Sequence, residues 1–221
     1  MSKELRNLIL IFVAVLIAGF LFYKFALSDK VAETTQKQNT PAMTAPMIGN
    51  LAASHSYSVG PIDAKVTVVE FFDPECESCA AVAPYIKNEM KYYEGKVRWV
   101  FRYMPYHHNS KTAIRVLEAA RKQNQFLETM TLLFEQQKQW GERKESTEKE
   151  ILQVISANKS LDLKQLQIDM KNPTIDEIIT KDETEGTAGG VEGTPTFFIN
   201  GVRLEKLDLD LMIKRINEIL Q

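Results

Sequence analysis

Two cysteines, Cys76 and Cys79, are separated by two residues and follow an apolar, β-branched run at Val66–Phe72. They are the only cysteines among the 221 residues. A helical pattern begins at the pair, which predicts that Cys76 lies at a helix N-terminus. There, unpaired backbone N–H groups and the helix dipole favour the thiolate over the thiol. We therefore expect Cys76 to be a nucleophile and Cys79, one turn further in, to resolve mixed disulfides.

The alternative to redox chemistry is an inert structural disulfide between the same cysteines. Two cysteines with only two residues between them close a very short loop, and such a crosslink stabilises a fold little. The spacing therefore favours catalysis over a structural bridge.

Further residues extend this short motif. Glu70 lies six positions before Cys76, among Val and Phe residues that predict burial, and Pro84 falls inside the helix that follows Cys79. A buried carboxylic acid has a raised pKa and could exchange a proton with Cys79. Downstream, Thr194-Pro195 leads into the β-prone run Phe197-Phe198-Ile199, and this pattern predicts a cis-proline turn.

With this set the sequence resembles the thioredoxin superfamily, and its long insertion is similar to that of the DsbA branch in particular. The resemblance covers residues 59–220. It implies a site made of five residues, which are Glu70, Cys76, Cys79, Thr194 and Pro195. It also implies a thiol:disulfide oxidoreductase that needs no cofactor and acts on cysteine-containing proteins with the help of a redox partner.

The dipeptide between the cysteines departs from that resemblance. It reads Glu77-Ser78, where the strongly oxidising members carry Pro-His. We assign Glu77 and Ser78 a redox-tuning role. Asp73, Glu75 and Glu77 are expected to disfavour the thiolate through their charge, which predicts a disulfide of intermediate potential.

The predicted fold class is α/β, a thioredoxin-like β-α-β / β-β-α fold with an inserted all-helical domain, preceded by an N-terminal transmembrane helix. Strands are expected at Val66–Phe72 and Val97–Tyr103, and an Asn200-Gly201 hairpin turn precedes a C-terminal amphipathic helix. The boundaries are residues 1–27 for the cytoplasmic tip and anchor, 28–58 for a flexible linker that contains a solvated His55, 59–109 and 186–221 for the two halves of the thioredoxin-like domain, and 110–185 for the insertion.

The anchor rests on sixteen uncharged residues from Leu8 to Tyr23. An apolar stretch of about 20 residues spans a bilayer, and the basic Lys3 and Arg6 before it predict that the rest of the chain is exported. A cleaved signal peptide is the alternative, although the run is longer than the usual h-region. Either interpretation puts the redox site outside the cytoplasm, at the periplasmic side of the inner membrane if the anchor is retained, with exported cysteine-containing proteins as partners.

The 27 basic and 29 acidic residues leave a net charge of -2, so no basic footprint for nucleic acid is expected.

His107 and His108 follow the second predicted strand at the end that also carries the cysteines. Together with Cys76 and Cys79 they suggest an alternative, a membrane-tethered metal-binding protein or metallochaperone. Two adjacent histidines cannot easily point at one ion, and no metal is assigned to the site. A third possibility is a binding module with vestigial chemistry.

Overall fold

The computed structural model describes residues 51–141 and 145–221. The predicted anchor, residues 1–27, and most of the predicted linker lie outside this part of the chain. Within the described ranges no helix is long and apolar enough to cross a membrane.

Five strands form one sheet in the order β1-β3-β2-β4-β5. Strands β2 and β3 are parallel, and their bounds agree with the two predicted strands. Strands β1 and β3, β2 and β4, and β4 and β5 pair in antiparallel fashion. The strands are β1 Tyr57–Val59, β2 Val66–Phe72, β3 Val97–Tyr103, β4 Thr196–Ile199 and β5 Val202–Arg203.

Helix α1, Glu77–Tyr92, connects β2 to β3, and helix α8, Leu209–Leu220, closes the chain. Between β3 and β4 the described chain is helical, which confirms the predicted insertion. Its helices are α2 Ser110–Arg121, α3 Phe126–Glu135, α4 Gln137–Trp140, α5 Glu148–Ile155, α6 Leu163–Asp169 and α7 Thr174–Ala188. The β-α-β, helices, β-β-α order is therefore the one that the resemblance implied.

Each face of the sheet packs against a different layer. Val66, Val68 and Phe72 belong to a large core with α1, α8 and the insertion, whereas Val69 and Phe71 join a smaller core on the opposite face. Helix α7 approaches that second face closely at Gly186. A Cβ there would lie 2.7 Å from Met104 Sδ and 2.9 Å from a Phe71 ring carbon, so only glycine permits this contact.

The C-terminal boundary of the predicted linker, residues 28–58, is wrong, because its last residues belong to the folded domain. Leu51 is buried, and Tyr57–Val59 form an edge strand on β3. The Tyr57 ring stacks on Phe126 with centroids 4.0 Å apart. His55 was expected in solvent, but its Nε2 lies 2.7 Å from Asp182 Oδ1. Packing against residues far along the chain, rather than local apolar periodicity, fixes this segment in the domain.

The predicted hairpin turn is present, because Asn200 and Gly201 both have positive φ, at 47° and 80°. Thr147 and Glu150 have the spacing of a capping box at the start of α5. Thr147 occupies the N-cap of α5, yet its side chain makes no capping hydrogen bond.

Candidate active site

Cys76 is the N-cap residue of α1, with extended backbone angles of φ -76° and ψ 123°. A turn precedes it, in which Cys76 N–H donates to Asp73 O at 3.1 Å. Its side chain keeps a small opening to solvent, with 9% of the residue exposed, whereas Cys79 is completely buried. An incoming sulfur can therefore reach Cys76 and not Cys79.

The surroundings of Cys76 favour its thiolate. A hydrogen bond from Cys79 is the largest influence and lowers the pKa of Cys76 to about 5 against the opposing effect of burial. The Thr194 side chain and the backbone N–H groups of Cys79 and Ser78 add smaller contributions in the same direction. Donors at a helix N-terminus produce this effect in reactive cysteines generally.

Cys79 has the opposite bias. Burial raises its pKa well above the usual value, and the hydrogen bond with Cys76 and the nearby Glu70 raise it further. At neutral pH the reduced pair is therefore one thiolate and one thiol. This asymmetry is what a nucleophile and a resolving cysteine require.

Glu70 lies in the middle of β2, beside Phe101 of β3 and Phe197 of β4. It is buried as predicted, and burial raises the pKa of its carboxyl to about 8. It also lines a largely apolar cavity of about 370 Å³ between α1 and α3. A carboxyl group with this pKa is poised to give or take a proton near neutral pH.

Two of the acids expected to oppose the thiolate are hydrogen-bond acceptors inside the protein. Asp73 is fully buried and accepts from Tyr106 N–H at 2.7 Å and from Ser110 Oγ at 2.5 Å. Glu75 accepts from Asn109 N–H at 2.6 Å. These acids fix the loop before Cys76 by bonding to residues more than thirty positions downstream, a pairing that the sequence did not indicate. Glu77 and Ser78, by contrast, are solvent-exposed.

His107 is brought to the active-site end of the sheet, as predicted, but in another role than metal binding. Its Nδ1 lies 2.7 Å from Asp73 Oδ2. Across residues 51–141 and 145–221, no cluster of three or more His, Cys, Asp or Glu side chains could hold a metal ion. The metallochaperone alternative thus has no support from the site, and His108 stays exposed beside it.

The predicted cis-proline is present at the Thr194–Pro195 bond. In its thiol form Cys76 Sγ donates to Thr194 O at 3.3 Å, so this loop lies directly against the nucleophile. Of the five residues implied by the resemblance, Cys76, Cys79, Thr194 and Pro195 thus lie at or beside the start of α1, and Glu70 in β2 is near enough to Cys79 to raise its pKa.

A Cys-x-x-Cys pair at a helix N-terminus, a buried acid beneath it and a cis-proline loop against it define a dithiol protein of the thioredoxin fold class. The chain belongs to the thioredoxin family, because the family profile described as Thioredoxin matches residues 46–218.

Two relatives and one solved structure are informative. The chain is 30% identical over 176 residues to the "Probable disulfide bond formation protein D" of Bacillus anthracis, an alignment that covers 76% of this chain and 79% of that protein. It is 32% identical over 145 residues to the Na(+)/H(+) antiporter NhaA of Herminiimonas arsenicoxydans, covering 66% of this chain and 22% of the antiporter. The chain thus spans only about a fifth of the antiporters that it matches.

Among solved structures, the thiol-disulfide exchange protein α-DsbA2 of Wolbachia pipientis superposes with a TM-score of 0.65 at 20% identity, over 77% of this chain and 90% of that one. The DsbA-like fold predicted from the sequence is confirmed. The disulfide bond formation relative also agrees with the predicted enzyme class, thiol:disulfide oxidoreductase.

Proposed function

We propose that the chain is a thiol:disulfide oxidoreductase in which Cys76 exchanges disulfides with cysteines of exported proteins. The observation that carries the proposal is the asymmetry of the dithiol. Cys76 is accessible with a pKa lowered to about 5, and Cys79 is buried with a raised pKa. Such a pair attacks and is attacked at one sulfur only.

In the oxidising direction a substrate thiolate attacks Cys76 Sγ of the disulfide. The Cys76–Cys79 bond breaks, a mixed disulfide forms, and Cys79 leaves as a thiolate. A second substrate thiolate then attacks the substrate sulfur of that mixed disulfide and releases the Cys76 thiolate. The substrate gains one disulfide and the protein gains two electrons, and the reverse sequence reduces a substrate.

Glu70 serves the buried leaving group. A Cys79 thiolate formed away from water is costly, and Glu70 is protonated below its pKa of about 8. The carboxyl can therefore give its proton to Cys79 as the mixed disulfide forms, and can take it back in the opposite direction.

Thr194 and Pro195 form the substrate-binding part of the proposal. Thr194 lies against Cys76. An extended substrate segment can pair with its backbone as an added strand, which is a common way for proteins to hold unfolded peptides. Exposed Glu77 and Ser78 complete the surface that a substrate meets.

Location and potential belong to the same proposal. Residues 1–27 are proposed to anchor the domain on the extracytoplasmic side of the inner membrane, where a membrane or soluble redox partner recycles it. The lack of a cation between the cysteines, together with the exposed Glu77, supports a potential less oxidising than that of DsbA.

Trapping of mixed disulfides tests the roles of the two cysteines. A Cys79→Ala variant, incubated with a reduced and unfolded cysteine-containing protein plus oxidised glutathione, should accumulate mixed disulfides through Cys76. The matched Cys76→Ala variant should accumulate few, since Cys79 is buried. Equal or higher yields through Cys79, measured by non-reducing electrophoresis and mass spectrometry, would overturn the assignment.

A further inference from the structure

His107 lies close to the redox site, although it is 31 positions after Cys76. Its Nδ1 is 2.7 Å from Asp73 Oδ2, and its backbone N–H donates to the same oxygen at 3.2 Å. Asp73 also begins the turn that carries the nucleophile, because its carbonyl accepts from Cys76 N–H at 3.1 Å. One buried residue therefore holds the histidine on one side and the nucleophile on the other.

The imidazole is held at one nitrogen and open at the other. The His107 side chain is 45% exposed, while its partner Asp73 is fully buried. A carboxylate at Nδ1 favours a protonated ring, and the partial exposure of the side chain lets that ring gain its charge from solvent. The result is a cation at the mouth of the site, a position for which the Glu77-Ser78 dipeptide offers none.

Three neighbouring elements contribute charged and polar groups that face the His107 ring. The loop before α1 supplies Asp73 and Glu75, Cys76 is the N-cap of α1, and α2 supplies the neutral Ser110, whose Oγ lies 3.3 Å from His107 N. Burial works against protonation, but Asp73, the Cys76 thiolate and Glu75 outweigh it and leave the pKa of His107 raised.

We propose that His107, fixed by Asp73, is a positioning residue whose imidazolium stabilises the Cys76 thiolate and so takes the part of the histidine missing between the cysteines. The proposal rests on the oxidoreductase function above and adds a second determinant of its redox poise. Coupling between two charges is reciprocal: if the imidazolium favours the thiolate, the thiolate must favour the imidazolium by the same free energy.

Proton NMR of the histidine ring resonances tests this reciprocity directly. The chain has three histidines, so assignment by His→Gln variants is feasible. In the reduced protein the pKa of His107 should exceed its value in a reduced Cys76→Ala variant by about 0.4 to 1 unit, the order of magnitude that Coulomb's law gives for two unit charges within one site in a medium between water and protein. His108, adjacent in sequence but exposed, is the internal control. Equal His107 pKa values in the two proteins would overturn the proposal.

The complementary measurement is the thiolate absorbance of Cys76. His107→Asn keeps a hydrogen-bond donor to Asp73 but removes the charge, and the Cys76 pKa should rise by the same 0.4 to 1 unit, so that the ratio of thiolate to thiol at a given pH falls by about 2.5-fold to tenfold. His108→Asn should leave the pKa unchanged. An unchanged Cys76 pKa in a folded His107→Asn variant would remove His107 from the redox site, while mixed-disulfide trapping in a His107→Asn/Cys79→Ala double variant shows separately whether the oxidoreductase function persists.

Discussion

Two buried carboxyl groups lie on opposite faces of the same sheet and have opposite electrostatic surroundings. Glu70 on β2 faces α1, and its pKa is raised to about 8 by burial alone. Asp182 on α7 lies across the other face, where its Oδ1 accepts from Arg102 Nε at 2.7 Å and its Oδ2 from Tyr103 N–H at 2.9 Å. Within the part of the chain that the structure describes, burial alone sets the pKa of Glu70, whereas hydrogen-bond donors surround Asp182.

The difference separates a proton-exchanging group from a structural one. An unpaired buried carboxyl costs stability when it ionises, so it holds its proton until the reaction needs it. A buried carboxylate with an arginine is fixed in its charged state, and it ties α7 to β3. Arg102 is itself fully buried, bonds Glu185 at 2.6 Å and lies over the Phe71 ring. The proposed proton exchange by Glu70 and the anchoring of α7 by Asp182 therefore lie on different faces of one sheet.

The largest effect on stability is expected from removing Arg102, the cation that Asp182 and Glu185 share. Arg102→Met should lower the free energy of unfolding by about 4 kcal/mol, because Asp182 and Glu185 lose the cation between them. Urea unfolding at pH 7 measures the loss. Arg98→Met in the same strand is the control, since the hydrogen bond of Arg98 to Ser58 Oγ is long, at 3.4 Å, and its loss should cost well under half as much. Equal losses would mean that the Asp182 cluster is not a special anchor.

Removing the ionisable group of Glu70 should change the free energy of unfolding in the opposite direction, towards greater stability. In the unfolded chain Glu70 ionises near its ordinary pKa of 4.5, whereas in the folded protein it ionises only near 8. Between these values the unfolded state loses its proton first, so stability falls as pH rises. Glu70→Gln should therefore stabilise the reduced protein by about 3 kcal/mol at pH 7 and by little at pH 4.

Urea unfolding of reduced protein across pH 4–8 checks this pH dependence. Glu128→Gln is the matched control, because Glu128 lies on the exposed rim of the same cavity. A Glu70→Gln variant that follows the wild-type pH profile in parallel would show that the Glu70 carboxyl is already ionised in the folded state, and the comparison between the two faces would fail.

The smallest effect tests how far the paired cluster extends. His55→Ala removes the 2.7 Å contact with Asp182 and should cost about 1 kcal/mol. The loss should be local, with faster hydrogen exchange of the β1 amides, because Arg121 also holds this segment through His55 O at 2.7 Å. His108→Ala should change neither quantity. Unchanged exchange in β1 would confine the cluster to Arg102, Asp182 and Glu185.

The sequence predicted the parts of the fold that depend on local pattern. Strands β2 and β3 are rich in β-branched and aromatic residues, and the Asn200-Gly201 turn needs two residues with positive φ, so each can be recognised within a few residues of sequence. The active-site set was predictable for the same reason, since Glu70, Cys76 and Cys79 share one strand and helix. Pro195 lies far from these residues in the sequence, but the Thr-Pro pair before a β-prone run predicted the cis-proline turn by itself.

The remainder depends on contacts between distant residues. His55 looks like a linker residue until it meets Asp182, 127 positions away. In the sequence Asp73 resembles a free acid beside the nucleophile, but in the structure its carboxylate accepts hydrogen bonds from Tyr106, His107 and Ser110. A polar side chain has the same local signature whether its partner is water or a buried donor, so sequence periodicity could not distinguish these cases.

The hydrogen bonds between the loop at residues 73–76 and the helical insertion have a consequence for protein engineering. Gln137 Nε2 donates to Pro74 O at 3.0 Å, Ser110 Oγ to Asp73, and Thr147 N–H to the Asn109 side chain that holds Glu75. A minimal domain made by excising residues 110–185 would take the Ser110 donor from Asp73, at a cost of about 1–3 kcal/mol, and would remove the Thr147 hydrogen bond that holds Asn109 beside Glu75. The insertion therefore fixes the conformation of the loop before Cys76. A shortened chain would retain both cysteines but would lose the hydrogen bonds that define the geometry around them.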